Sequence, residues 1–230
     1  MSTGVIYVAT TSNYVELAHE SAGKLKSHMP EIPVCLFTSE DYSPKVPNID
    51  AIEEIKNPNY DTEDKIEPMI NSPFYKTLFL DADTEIAGDL SEVFDLLDVF
   101  EFAYAHAPVR IEDWDLSSNI PECFPQPNTG VIAYKKTDKV ISLLKRWKSR
   151  DEEYKTMRNG KKPHEQPALR KELYRSDIRS TILPPEYNIR TPFPMFKGGN
   201  SYVKILHGAK KYRKDISHRM INDFHSIVTN

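Results

Sequence analysis

Lys76-Thr77-Leu78-Phe79-Leu80-Asp81-Ala82-Asp83-Thr84 is an apolar run that ends in two carboxylates. Along an extended chain side chains alternate faces, so Asp81 and Asp83 are expected on one side, roughly 6–7 Å apart at Cα. Open α/β sheets bind ligands beyond the carboxyl ends of their strands, which is where this pair should fall. Two carboxylates are costly in such a place unless a cation lies between them. A divalent cation held in this way neutralises a diphosphate, so the stretch points to a site for a nucleotide-linked substrate. Asp113-Trp114-Asp115 repeats the spacing in a polar run with no apolar strand before it, and is expected to be a solvated loop.

The surrounding pattern supplies elements to position the pair. Residues 5–9 form a short, continuous apolar run, the mark of a strand buried on both faces. Asn13 with Glu16 has capping-box spacing, and Tyr14, Ala18, Ala22, Leu25 and Met29 recur at helical period until Pro30 and Pro33. Strands are expected at 34–37 and 49–55, then a short helix over 63–70. After the Asp81 strand come a helix over 90–100, a strand at 102–105, and a long irregular loop over 108–127. A strand at 131–134 and a helix capped by Asp138 follow, with Val140, Ile141, Leu144 and Trp147 inward. The dense charges of 150–162 are expected as a solvated loop. Residues 163–174 should be helical with Pro167 in the first turn, and 203–206 a last strand. Alternation of strand and helix implies an α/β fold with a mostly parallel sheet, and no repeat or linker divides the single domain of residues 1–230.

Bulk properties narrow the classes. A chain of 230 residues with 39% apolar side chains is long enough for one substantial core. Its net charge of −4 argues against a general nucleic-acid binder. The local cluster of Lys210, Lys211, Arg213 and Lys214 remains suited to an anion. Cys35 and Cys123 lack metal-type spacing and are expected as buried free thiols. No stretch approaches the apolar length of a membrane helix, and the first residues lack a signal-peptide pattern, so a cytoplasmic location is expected.

The order of motifs resembles the GT-A nucleotide-sugar transferases, in particular the glycogenin and galactosyltransferase-like retaining group. The resemblance rests on Thr10-Thr11 with Tyr14, on Lys65 before Ser72-Pro73, and on Asp81-Ala82-Asp83-Thr84. It continues through Asn128-Thr129-Gly130-Val131, Glu165-Gln166-Pro167 and Leu206-His207-Gly208. It implies a single GT-A domain and a nucleoside-diphosphate sugar, UDP-linked by preference, as donor. It further implies that Asp81, Asp83 and His207 ligate Mn2+ or Mg2+, a donor set of two carboxylates and one imidazole that suits such ions. Thr10, Thr11 and Tyr14 would line the base and ribose. Lys65, Ala82, Gly208 and one of Lys210 or Lys211 would follow the ribose and diphosphate. Asn128, Glu165 and Gln166 would border the transferred sugar. Asn188 and Arg190 are candidates for the same cleft.

Each residue also has a plainer explanation: an inward-stripe aromatic for Tyr14, a surface lysine for Lys65, a helix-start carboxylate for Glu165, a strand-end histidine for His207. A rival enzyme class is the haloacid-dehalogenase-type phosphatase, whose Asp-x-Asp-x-Thr pattern Asp81-Ala82-Asp83-Thr84 also fits. That class needs a later acidic pair and an earlier strand position. A catalytically inactive sugar-binding relative is the non-enzymatic alternative. The acceptor, whether glycan, lipid or small molecule, is open.

Overall fold

The computed structural model describes residues 2–39, 48–108, 116, 119–157, 164–191, 193, 195 and 200–208. Its first half contains β1 (Thr3–Ala9), α1 (Ser12–His28), β2 (Val34–Thr38) and β3 (Ala51–Glu54), then a 3-10 turn at Thr62–Lys65 and α2 (Ile66–Ile70). β4 (Lys76–Asp81), β5 (Thr84–Ile86), α3 (Ser91–Val99), β6 (Phe102–His106) and β7 (Pro127–Lys135) follow. The chain continues through α4 (Asp138–Met157), α5 (Gln166–Tyr174), β8 (Ser180–Leu183), β9 (Ile189–Arg190) and β10 (Ile205–His207). Seven strands form one sheet in the order β3-β2-β1-β4-β7-β6-β8, and three form a small second sheet, β5-β10-β9. In the large sheet β7 alone runs against its neighbours.

Period-two alternation explains why the central strands are continuous apolar runs. Val5, Tyr7, Leu78, Leu80, Val131 and Ala133 point to the face covered by α1 and α3. Ile6, Phe79, Ile132 and Tyr134 point to the other face, where Met69 of α2, Trp147 of α4 and Leu169 of α5 pack. A sheet buried on both sides has no polar face to show, so its strands cannot alternate in sequence.

Several sequence expectations are corrected. The charged stretch from residue 150 does not open a loop: α4 runs on to Met157. Asp151 and Tyr154 extend the buried stripe of Val140, Leu144 and Trp147 at helical spacing, and Arg150 and Lys155 pair with Glu172 and Glu63. In α1 the buried face is Val15, Ala18, Ser21, Ala22 and Leu25, and Tyr14 is exposed rather than inward. The helix begins at Ser12 directly after an extended Thr11, so Asn13 and Glu16 fall inside its first turns and form no cap. At the start of α4 the Thr137 hydroxyl, not Asp138, accepts from the Val140 amide. β3 is shorter than the expected 49–55 strand and largely exposed, as an edge strand with one partner can be. β7 begins at Pro127, so Asn128-Thr129-Gly130 belongs to the strand, which starts earlier than the expected 131–134. In the 108–127 region the described residues 119–126 are held down, since the buried Arg170 guanidinium donates to the carbonyls of Pro121 and Phe124. Asp113, Trp114 and Asp115 lie outside the described residues.

Candidate active site

β1 is the point where the sheet reverses direction: the chain proceeds from it to β2 and β3 on one side and returns to β4 on the other. Such a switch point leaves a crevice beyond the carboxyl ends of the two diverging strands. A cavity of about 350 Å³ lies there, lined by Val8 to Thr11 at the end of β1, Asp81 to Asp83 at the end of β4, and Arg190 and His207 from the small sheet. Tyr60, Asp61 and Thr62 close another wall.

The small sheet brings distant residues to the pair of aspartates. β5 leaves β4 after a two-residue turn at Ala82 and Asp83, and β10 pairs antiparallel with it, His207 opposite Thr84. β9 pairs parallel with β10, Arg190 opposite His207. Strand alternation is therefore not what aligns the carboxylates, because β4 ends at Asp81 and the turn swings Asp83 around. Even so, both carboxylates face one atom: His207 Nε2 is 3.1 Å from Asp83 Oδ1 and 3.5 Å from Asp81 Oδ2.

The turn and the imidazole are both fixed from behind. Beneath the turn the hydroxyls of Tyr7, Ser21 and Thr84 form a buried series, 2.9 and 3.0 Å apart, and Thr84 donates to the Asp81 carbonyl at 2.8 Å. Burial raises the Tyr7 phenol well above its ordinary range, keeping it a donor at the start of this series. The Gly208 amide donates to the Asp83 carbonyl at 3.3 Å, from a left-handed φ of 141° that favours glycine. Behind His207, Asn188 Nδ2 donates to Asn128 Oδ1 at 3.0 Å, which turns Asn188 Oδ1 toward His207 Nδ1 at 2.7 Å. Nδ1 accordingly carries the proton, and the Nε2 lone pair is aimed at the carboxylates. A Cβ on Gly130 would collide with the His207 ring and lie 2.7 Å from Asp81 Oδ2. This glycine is required by the imidazole and the carboxylate themselves.

These residues fit a divalent cation. Two oxygens and one nitrogen lie within 4.8 Å of one another. Ligands at about 2.1 Å in adjacent octahedral positions are about 3 Å apart, close to the two separations found at Nε2. The set is hard, carries two negative charges and has its histidine oriented by a second residue, the arrangement such ions require.

Below this group lies a second cluster of charges. Asp81 follows Phe79 on one sheet face, the face that the 3-10 turn and α2 cover, and there Lys65 Nζ lies 2.8 Å from Asp81 Oδ1 and over the Phe79 ring. The same ammonium is 3.5 Å from Glu165 Oε1. Glu165 also accepts from Thr129 at 2.5 Å and Thr62 at 2.6 Å, and its carbonyl accepts from the Trp147 indole. Burial by itself would push the Glu165 carboxyl up, but the Lys65 charge and the two hydroxyl donors outweigh it and hold the pKa at about 2. Burial likewise opposes the charge on Lys65, and Asp81 and Glu165 together raise its pKa instead.

Of the residues singled out in the sequence, Thr10, Thr11, Tyr14, Lys65, Asp81, Ala82, Asp83, Arg190 and His207 border the cavity. Asn128 is buried behind His207, and Glu165 is buried beneath Lys65, outside the lining. Gln166 begins α5 and its Oε1 is buried without a hydrogen-bond partner among the described residues. Lys210 and Lys211 lie outside the described residues. The sequence left the orienting role of Asn188 unseen, because a hydrogen bond across 19 residues has no local pattern.

No family model matches the chain, and no curated protein matches it. Solved structures do. The galactosyltransferase LgtC, in complex with donor and acceptor sugar analogues, matches with a TM-score of 0.65 at 13% identity, covering 97% of this chain and 95% of its own. The glycosyltransferase GlyE of Streptococcus pneumoniae TIGR4 gives 0.63 at 12% identity over 98% of this chain and 60% of its own. Mouse xyloside xylosyltransferase 1 gives 0.60 at 12% over 92% and 99%. The fold is that of the GT-A glycosyltransferases, a single domain around a mostly parallel sheet. The phosphatase alternative finds no support in it: the strand carrying Asp81 is the fourth in the chain, and an imidazole, not a further acidic pair, completes the group.

Proposed function

We propose that this protein is a metal-dependent glycosyltransferase that moves a sugar from a nucleoside-diphosphate sugar, UDP-linked by preference, to an acceptor hydroxyl with retention at the anomeric carbon. The observation that carries the proposal is the convergence of Asp81, Asp83 and His207 on the floor of the switch-point cavity of a GT-A fold. Asp81, Asp83 and His207 would hold Mn2+ or Mg2+, which when bound supplies Lewis-acid stabilisation of the charge growing on the diphosphate. The exposed Tyr14 ring at the cavity edge offers a face to the base, worth about 1–3 kcal/mol in stacking. Thr10 and Thr11 offer hydroxyls to the base and ribose. Asn128 and Gln166 would border the sugar, with Glu165 supporting that edge through Lys65 and Thr129.

In the reaction the bond from the anomeric carbon to the diphosphate oxygen breaks, and its electron pair stays on that oxygen. The acceptor oxygen forms the new bond to carbon and its proton passes to the released diphosphate. Lys65 keeps Asp81 in place without neutralising the pair, because Glu165 shares its charge. The acceptor is a glycan, lipid or small molecule. Among the described residues no helix is long and apolar enough to cross a membrane. Cys35 is buried and Cys123 exposed, where both were expected buried, and two free thiols support a reducing, cytoplasmic setting.

Thermal-shift titration of Mn2+ with UDP, GDP and their sugars tests the proposal. Stabilisation by a nucleoside diphosphate should depend on Mn2+, and Asp83→Ala should abolish the metal-dependent part while leaving the metal-free melting temperature unchanged or raised. A full metal-dependent shift in the Asp83→Ala variant overturns it.

A further inference from the structure

Two cations border the cavity among its described lining residues, Lys65 and Arg190, and they are in opposite electrostatic situations. Lys65 is saturated by Asp81 and Glu165. Arg190, the last residue of β9, pairs with no carboxylate among the described residues. Its Nη1 lies 3.0 Å from His207 Nε2 and 3.4 Å from Nδ1, and its guanidinium lies 5.8 Å from the Phe193 ring centre. Its Nε is buried with no hydrogen-bond partner among the described residues.

A guanidinium holds five donors in a planar fork and stays charged at any working pH. Here it faces an imidazole that has a single lone pair to give, on Nε2. That lone pair also faces Asp83 and Asp81, so Arg190 and a divalent cation compete for it. Once the cation has it, Arg190 loses its acceptor while remaining at the cavity wall, with its donors left for an anion. A fork of this geometry matches two oxygens of a phosphate.

We propose that Arg190 binds the diphosphate of the donor and is transferred to it from His207 as the divalent cation enters. This rests on the metal-and-diphosphate reading of the site above and goes beyond it. The consequence is a coupling: the cation frees the arginine that the diphosphate needs, and the diphosphate removes the arginine that opposes the cation. Each ligand therefore tightens the other by the same factor. The cavity gains a phosphate-binding cation from the small sheet itself, held directly opposite a metal ligand on the neighbouring strand.

Isothermal titration calorimetry of the full chain with Mn2+ alone, inorganic pyrophosphate alone, and pyrophosphate on Mn2+-loaded protein tests this. In the wild type each ligand should raise the affinity for the other. Arg190→Ala should bind Mn2+ alone as tightly or severalfold more tightly. Its affinity for pyrophosphate in the Mn2+-loaded state should fall about 10- to 100-fold, the effect of a lost charge-assisted bond. Arg190→Lys should recover part of the loss, and Arg190→Gln, which keeps a stem of similar bulk, should repeat it if the alanine variant does not fold. Pyrophosphate affinity within twofold of wild type in the Mn2+-loaded neutral variants overturns the role of Arg190 alone. Loss of Mn2+ binding on removing Arg190 also overturns it, since the residue would then support the metal group instead of competing with it. A wild type that binds neither Mn2+ nor Mn2+-pyrophosphate overturns the metal reading and this inference together.

Discussion

Two clusters of charge meet at Asp81, and they are built to opposite ends. The lower one, Lys65 with Glu165, Thr62 and Thr129, has opposite charges in contact, every carboxylate oxygen occupied, and side chains 7% and 2% exposed at its ion pair. The upper one, Asp81, Asp83 and His207, gathers acceptors around one point and leaves its carboxylates about a quarter exposed. A saturated buried pair has nothing left for a ligand, and removing one member strands the other in low dielectric. A convergent set of acceptors is unfavourable until a cation arrives. The lower cluster therefore contributes to the stability of the domain, and the upper one costs some of it, as the proposed cation site would.

Three substitutions bear on that contrast. The largest effect is expected from Gly130→Ala, which places a methyl group against the His207 ring and Asp81. It should abolish measurable Mn2+ binding in calorimetry and lower stability by about 1–3 kcal/mol, the usual cost of overpacking. Retention of Mn2+ affinity would show that the imidazole has room the structure does not give it.

Glu165→Gln should leave Mn2+ binding within a few-fold of wild type but lower stability at neutral pH by roughly 2–3 kcal/mol, because Lys65 loses one of two counter-charges. The pH dependence has a definite sign. The folded carboxyl titrates near 2 against an ordinary value of 4.5, so its contribution is complete above about pH 4.5 and lost as the pH falls toward 2. Urea unfolding of wild type and variant across this window should show curves that converge at low pH. Parallel curves would mean that Glu165 is not held ionised by the fold.

Asn188→Ala is the mildest. It removes the acceptor that sets the His207 ring, so Mn2+ affinity should fall about tenfold with the fold retained. An unchanged affinity would indicate that β10 alone orients the ring.

Much of this arrangement was legible in the residues. The apolar strand ending in Asp81, the strand after Met1 leading into Thr10 and Thr11, and the Pro167 helix start all have strong local patterns, and all form as expected. The continuation of the α4 stripe past Trp147 was hidden because Asp151 and Tyr154 are polar in type although inward in position, while the charges around them are the outward face of the same helix. β9 escaped detection for another reason: a two-residue strand carries no period, and only pairing with β10 defines it, while the strand expected at 203–206 forms as β10, placed at Ile205–His207 by its pairing with β5.

The sequence by itself determined the α/β class and the strand that delivers Asp81, because apolar periodicity and the abrupt appearance of carboxylates are properties of neighbouring residues, whereas His207 was reached only through the resemblance in motif order. Tertiary structure alone decided that Asp83 arrives by a turn, that Gly130 clears space for His207, that Lys65 is shared with Glu165, and that Arg190 stands beside the imidazole. Each of these depends on distances between segments far apart in the chain, which sheet pairing and core packing set and no local pattern records.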